Sequence, residues 1–267
     1  MKKIIMLIGL YLSLIMPLQA LGNHNLIDIS VVYGGIYENK MVAFFHVKTP
    51  DNVKTYWDKP GFGGISPEFS FENNLNMTDI EILYGVPKVT KKAGMINYTL
   101  KQDDYIVVTF KPENPSAPVL LKGSLTYGYC DDLCKSGTYQ FNEVINVNQK
   151  ADETLTQDFF ATQIKPITLD KTVSVNNLIA DYMPNKNLLI SFQLNGIKNL
   201  DLKKFIYYID TDFEIKTPII RKTISDRYEV SLDLYDIYQK PETLTLILPN
   251  NEGQYVQYQS KIPYKGE

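Results

Sequence analysis

Val119-Leu120-Leu121-Lys122-Gly123-Ser124-Leu125-Thr126-Tyr127 decides the fold class. Val119, Leu121, Leu125 and Tyr127 fall on one side of an extended chain, and Leu120, Lys122, Ser124 and Thr126 fall on the other. That period of two marks a strand with one face buried. The same habit recurs outward from it. Leu26–Tyr33, Met41–Val47, Asp79–Tyr84 and Tyr105–Phe110 precede it, and Thr138–Val147 follows. These runs are short and rich in Val, Ile, Tyr and Phe, with Gly, Pro and Asn between them. Such a pattern predicts an all-β chain folded as a sandwich.

Strand signals return after residue 167. Ile190, Phe192 and Leu194 alternate with polar neighbours, as do Tyr228, Val230 and Leu232. Thr243–Leu248 forms a further run, closed by Pro249-Asn250. Between the two strand-rich regions, Ala151–Ile164 reads as a short helix. Asp152 and Glu153 stand where negative charge favours a helix start, and Leu155 and Phe159 share a face at i, i+4. The expectation is two sandwiches of ordinary domain size joined by a helical linker: residues 21–149, linker 150–166, and residues 167–267.

Residues 1–20 read as an export signal. Lys2-Lys3 is followed by the uncharged run Ile4–Met16, then by Pro17 and Leu18-Gln19-Ala20, which ends on a small residue. That run is shorter than the roughly 20 residues a membrane span needs. Without Lys2 and Lys3 the 27 basic side chains fall to 25, against 30 acidic ones. A net negative chain is a poor ligand for nucleic acid or an anionic membrane. With only two histidines (His24 and His46) and two cysteines, neither a zinc site nor a histidine-based hydrolase is easily assembled. No metal site and no bound cofactor are expected.

Chemistry concentrates in Tyr127-Gly128-Tyr129-Cys130-Asp131-Asp132-Leu133-Cys134-Lys135-Ser136-Gly137, at a turn between two expected strands. Three intervening residues allow the two Cα atoms to approach within disulfide range. A structural staple, a redox-active pair and a metal-binding pair are all compatible with this spacing. Closing a five-residue loop restrains the unfolded chain by only roughly 2 kcal/mol, against about 3 for a 15-residue loop, so a staple here gains little. Asp131 and Asp132 oppose thiolate formation while Lys135 favours it. A redox-active pair in this setting would react through a docked partner.

A second stretch, Val53-Lys54-Thr55-Tyr56-Trp57-Asp58-Lys59-Pro60-Gly61-Phe62-Gly63-Gly64-Ile65-Ser66-Pro67, runs from a strand into a Pro-Gly turn. Trp57 taken alone is more often a core residue than a ligand contact, and the glycines suit tight turns.

Together these two stretches resemble the amino-terminal periplasmic region of the DsbD-type thiol:disulfide interchange proteins, especially the ScsB-like branch. The likeness rests on Thr55-Tyr56-Trp57, Pro60-Gly61, Gly64 and Pro67, and on Tyr127 with Cys130-x-x-x-Cys134 some seventy residues later. The family often carries a proline soon after the second cysteine, where this chain has Lys135-Ser136. The resemblance implies an immunoglobulin-like carrier domain in the periplasm, with Cys130 and Cys134 as its redox pair. Electrons would come from a membrane-embedded thiol reductase and pass to envelope proteins containing disulfides. Tyr56, Trp57, Pro60, Gly61, Tyr127 and Tyr129 would shape the site or its docking face. The competing expectation is a non-catalytic envelope binding module with a static bridge. A copper-handling role lacks the Met and His clusters that soft-metal transport needs.

Overall fold

The computed structural model describes residues 26–61, 63–92, 95–146, 148–169, 172–183, 187–197, 200–202, 204–210, 219–223, 227–233 and 241–264. The expected export segment 1–20 and Val147 lie outside them. In chain order the first region forms β1 (Asp28–Tyr37), β2 (Lys40–Lys48), β3 (Lys54–Gly61), β4 (Glu68–Phe71), β5 (Thr78–Tyr84), β6 (Lys88–Lys92), β7 (Met95–Thr99), β8 (Asp103–Lys111), β9 (Val119–Cys130) and β10 (Cys134–Ile145). Helix α1 (Glu153–Thr162) follows. The second region forms β11 (Lys165–Pro166), β12 (Ser174–Tyr182), β13 (Asn187–Asn195), β14 (Ile206–Asp210), β15 (Ile219–Lys222), β16 (Arg227–Asp233), β17 (Thr243–Pro249) and β18 (Tyr255–Lys261).

The sheets β1-β2-β8-β5 and β10-β9-β3-β7-β6, with β4 also on β9, sandwich the first core. Phe45, Val108 and Phe110 from one sheet share it with Trp57, Leu121, Leu125 and Phe141 from the other. The Phe45 and Phe141 rings meet edge to face at 5.0 Å. The sheets β11-β18-β17-β14 and β12-β13-β16-β15 enclose a second core. There Leu188, Ile190, Phe192 and Val230 pack with Leu244, Leu246 and Leu248. The chain is all-β, two immunoglobulin-like sandwiches joined by a short helix.

Met41–Val47 departs from simple alternation because both faces of β2 are covered. Ala43, Phe45 and Val47 face the first core, while Val42 and Phe44 lie with Val107 under Leu155, Phe159 and Phe160 of α1. A strand buried on both sides reads as a continuous apolar run. Asp152 caps α1, its carboxylate accepting from the Leu155 N–H at 2.9 Å. Tyr37 stacks on Phe160 at 3.8 Å. The linker helix is therefore a lid over the outer face of the first sandwich.

Aromatic side chains also tie the two sandwiches together. Trp57 meets Tyr208 at 6.1 Å, and Ile206 and Ile247 are buried in the first core. The Tyr98 hydroxyl donates to the Tyr207 carbonyl and accepts from the Tyr207 N–H at 3.2 Å. One phenol thus satisfies both outward backbone groups of an edge-strand residue, which would otherwise be buried without partners.

Tyr98→Phe removes that oxygen and strands both groups, a cost of about 1–3 kcal/mol; a urea titration should show the midpoint fall with little change in slope. Alkali should act in the same direction. Burial holds the Tyr84 and Tyr98 phenols above their ordinary value and pushes Tyr207 up to about 12. Unfolded phenols ionise near pH 10. Folding stability from these groups is therefore complete below about pH 10 and lost as pH rises through the folded values. Urea midpoints measured upward from pH 8 should stay level and then drop; a level profile to pH 12 would contradict this account.

Candidate functional site

β9 and β10 form a hairpin whose register runs unbroken from Val119↔Ile145 to Cys130↔Cys134. The two cysteines thus face each other across the last rung, and their Cα atoms lie 4.1 Å apart. They form a disulfide. The tip Asp131-Asp132-Leu133 closes by an Asx turn, in which the Asp131 carboxylate accepts from the Leu133 N–H at 2.9 Å. That hydrogen bond, with help from Lys135, holds the Asp131 carboxyl below its ordinary value. The Lys135 ammonium lies 3.7 Å from the other Asp131 oxygen.

β3 runs beside β9, with Lys54 opposite Cys130 and Thr55 opposite Tyr129. The Thr55 hydroxyl donates to the Gly128 carbonyl at 2.8 Å. Gly128 lacks a side chain where one would collide. A Cβ there would lie 2.5 Å from the Ile65 Cβ and 3.1 Å from the Tyr56 ring. Through that gap the Tyr56 ring reaches the sulfurs. Its hydroxyl sits 2.8 Å from Cys130 Sγ and 3.7 Å from Cys134 Sγ. Disulfide sulfurs carry no hydrogen, so the phenol is the donor. Burial raises the Tyr56 phenol above its ordinary value, so it keeps its proton at neutral pH. Gly64 serves the same approach from the turn, since a Cβ there would press on the Tyr56 ring at 2.9 Å.

The two sulfurs are not equivalent. Cys130 is 9% exposed and roofed by the phenol, whereas Cys134 is an exposed residue. Leu133 is 68% exposed and Ile65 39%. Both are apolar groups that neither stretch of sequence marked as part of a site. Their only advance signals were their places, Leu133 between the cysteines and Ile65 after the glycine turn.

The other expected site residues separate into two sets. Of these only Tyr56 touches the disulfide, while Tyr129, next to Cys130 on β9, is half-buried and packs against the first core on the opposite face. Tyr127 is buried, its ring under Gly137 of β10, and lies 6.1 Å from the Tyr129 ring. Trp57 points to the other side of β3, into the core, where its indole N–H donates to the Gly85 carbonyl at 2.9 Å. Pro60 and the positive-φ Gly61 turn the chain away at the far end of β3, where Gly61 meets Asn97 of β7.

Residues 37–146 match the family model described as thiol:disulfide interchange protein DsbD, N-terminal. Among solved structures, the N-terminal periplasmic domain of ScsB from Proteus mirabilis superposes with a TM-score of 0.68. The match covers 91% of this chain and 95% of that one at 17% identity, a likeness of fold. No curated protein matches the chain. A Cys130–Cys134 disulfide within the matched residues fits thiol–disulfide exchange in general. The chain therefore carries a DsbD amino-terminal-type domain over residues 37–146.

Proposed function

We propose that the protein is a periplasmic thiol–disulfide exchange protein. In this role its Cys130/Cys134 couple relays electrons from a membrane-embedded thiol reductase to disulfide-containing proteins of the envelope. One observation carries the proposal: the disulfide joins an exposed residue, Cys134, to a buried one, Cys130, whose sulfur carries a phenol hydrogen bond. A donor thiolate reaches Cys134. Attack forms a bond from the donor sulfur to Cys134 Sγ and breaks the Cys130–Cys134 bond, and the electron pair leaves on Cys130 Sγ. Tyr56 donates to that departing thiolate, and a better-stabilised leaving group departs faster. The donor's second thiolate then attacks its partner sulfur in the mixed disulfide. Cys134 is released, the donor is left oxidised, and the pair, once protonated by water, is left as a dithiol.

Toward a client the sequence reverses. Cys134 thiolate attacks a client disulfide and one client thiolate leaves. Cys130 then attacks Cys134, re-forming the bond and releasing the second client thiol. On this reading residues 21–149 are the exchange domain, 150–166 the connecting helix and 167–267 a second sandwich. Residues 1–20 direct export, in keeping with a structural neighbour that is a periplasmic domain.

The reduction potential should lie above about −300 mV, the region below which structural bonds resist the glutathione pool. Cys130→Ser, which leaves Cys134 free, should trap envelope proteins as mixed disulfides on non-reducing gels. Cys134→Ser should trap few. A potential below that limit, with neither variant trapping anything, would leave the non-catalytic binding module with a static bridge.

Tyr56→Phe keeps the ring and removes the donor. Reduction by dithiothreitol should slow about three- to tenfold, since a hydrogen bond to a charged group is lost. The Cys130 thiol in the reduced protein should titrate at higher pH. A phenol with a packing role alone would change the melting temperature and leave that titration where it was.

A further inference from the structure

An edge strand exposes unpaired N–H and C=O groups, and folded chains blunt such edges. This chain does so almost everywhere. β1 bulges between Tyr33 and Gly35, and its Tyr33 and Gly34 carbonyls accept from the Asp152 N–H at 2.9 Å and the Thr156 hydroxyl at 2.6 Å. β5 bulges between Thr78 and Glu81 and carries Asp79 and Glu81, paired with Lys111 and Lys40. β12 bulges between Asn176 and Ile179, and its Ala180 N–H is taken by the Pro263 carbonyl. β14 is capped by Tyr98. β4, β6, β11 and β15 are four, five, two and four residues long.

β10 is less protected: it carries charge at Lys135 and Glu143 and β1 of the facing sheet approaches it without pairing, but among the described residues no bulge or capping hydrogen bond closes its edge. It is twelve residues long, contains no proline and keeps an unbroken register with β9. No described residue pairs with its outer side. It also begins at the exposed cysteine. The 4.1 Å separation of the Cys130 and Cys134 Cα atoms is that of a close rung, the kind (about 4.5 Å rather than 5.5 Å) that exchanges no hydrogen bonds. At such a rung the outer strand's N–H and C=O turn away from its neighbour. Cys134, and with it Ser136, Thr138 and Gln140 at every second position, therefore direct their backbone groups to the open side. All four residues are exposed.

We infer that the outer edge of β10 takes up an extended, cysteine-bearing segment of the redox partner as an added strand, which delivers the partner sulfur to Cys134. The inference rests on the exchange function proposed above and adds the mode of docking. Backbone pairing supplies affinity without demanding a particular sequence, which suits a carrier that meets more than one partner. The occupant is the reacting segment because the open edge is continuous with the exposed Cys134.

The test uses full-length Cys130→Ser protein and a peptide of about six β-branched residues, a typical strand length, around one central cysteine. That cysteine is joined as a mixed disulfide to nitrothiobenzoate. Cys134 thiolate attacks the peptide sulfur, the new bond joins Cys134 to the peptide, and the nitrothiobenzoate leaves with the electron pair and its colour. A second peptide carries N-methyl groups at alternate positions on the pairing edge, and the glutathione mixed disulfide serves as a small probe with no strand to add.

Two added backbone hydrogen bonds should make the plain peptide react about tenfold faster than the N-methylated one. Ser136→Pro and Thr138→Pro replace only outward-facing N–H groups. They should abolish that advantage while leaving the glutathione rate unchanged. Equal rates for the two peptides, with glutathione still reacting, overturn edge docking and leave the exchange function standing. Failure of all three probes to react overturns both. The peptide comparison needs no proline variant, so misfolding of those variants leaves the test intact. If β10 instead pairs with a second copy of this chain, sedimentation shows a dimer that Thr138→Pro dissociates, and the inference falls.

Discussion

The disulfide joins two residues that a β-ladder already holds face to face. Twelve rungs fix β9 against β10 before any sulfur chemistry takes place. The covalent link is added to a register that backbone pairing already carries. The loop it closes is short, so its entropic hold on the unfolded chain is small. The same geometry that makes the bond a poor staple makes it cheap to open. Leu121, Leu125 and Phe141, farther along the same hairpin, belong to the first core.

Around that bond, β3 does two jobs because successive side chains point to opposite faces. Tyr56 leans over Gly128 to the sulfurs, and Trp57 anchors the strand in the core between Tyr84, Tyr98 and Tyr208. Tyr98 in turn holds Tyr207 of the second sandwich. The phenol that faces the disulfide is therefore set by a backbone whose other side is packed against both cores. In the proposed exchange, a donor fixed before reaction would need no reorganisation when charge appears on Cys130. Such positioning is a physical reason for the second sandwich to sit where it does, remote from the sulfurs yet in contact with the strand that serves them.

Much of the fold was legible because alternation tracks one-sided burial. Val119–Tyr127 alternates, and its odd positions are buried as expected. The helix was legible from Asp152 and the Leu155/Phe159 pair, although its role as a lid over Val42 and Phe44 was not. Nothing in a one-dimensional pattern says which surface a second layer will cover. The cysteine pair was visible from spacing, and its neighbourhood with Tyr56 from a family likeness. The contact itself was hidden, since it depends on an absence, the missing side chain of Gly128, opposite a residue seventy positions away. The inequality of the two sulfurs was hidden for the same reason. Exposure at a hairpin tip follows from strand order in the sheet, and strand order is a long-range property.

Charge at the tip bears on how the proposed carrier would achieve its rate. Lys135 is the cation next to Cys134 in sequence, and it already faces Asp131. Asp131 in turn is committed to the Leu133 N–H. Asp132 adds a second negative charge at the tip, which disfavours a thiolate. Among the described residues no helix begins at Cys134, and its neighbouring cation Lys135 is shared with Asp131, unlike the helix-start setting that activates many reactive thiols. What the surface offers instead is Leu133 and Ile65 as exposed apolar groups, with an open β-edge that begins at the sulfur. On the proposed docking, those features would raise rate by holding a partner, through proximity rather than intrinsic nucleophilicity. On the proposed function, a thiol whose rate comes from docking would exchange electrons with chosen partners rather than with small oxidants and reductants.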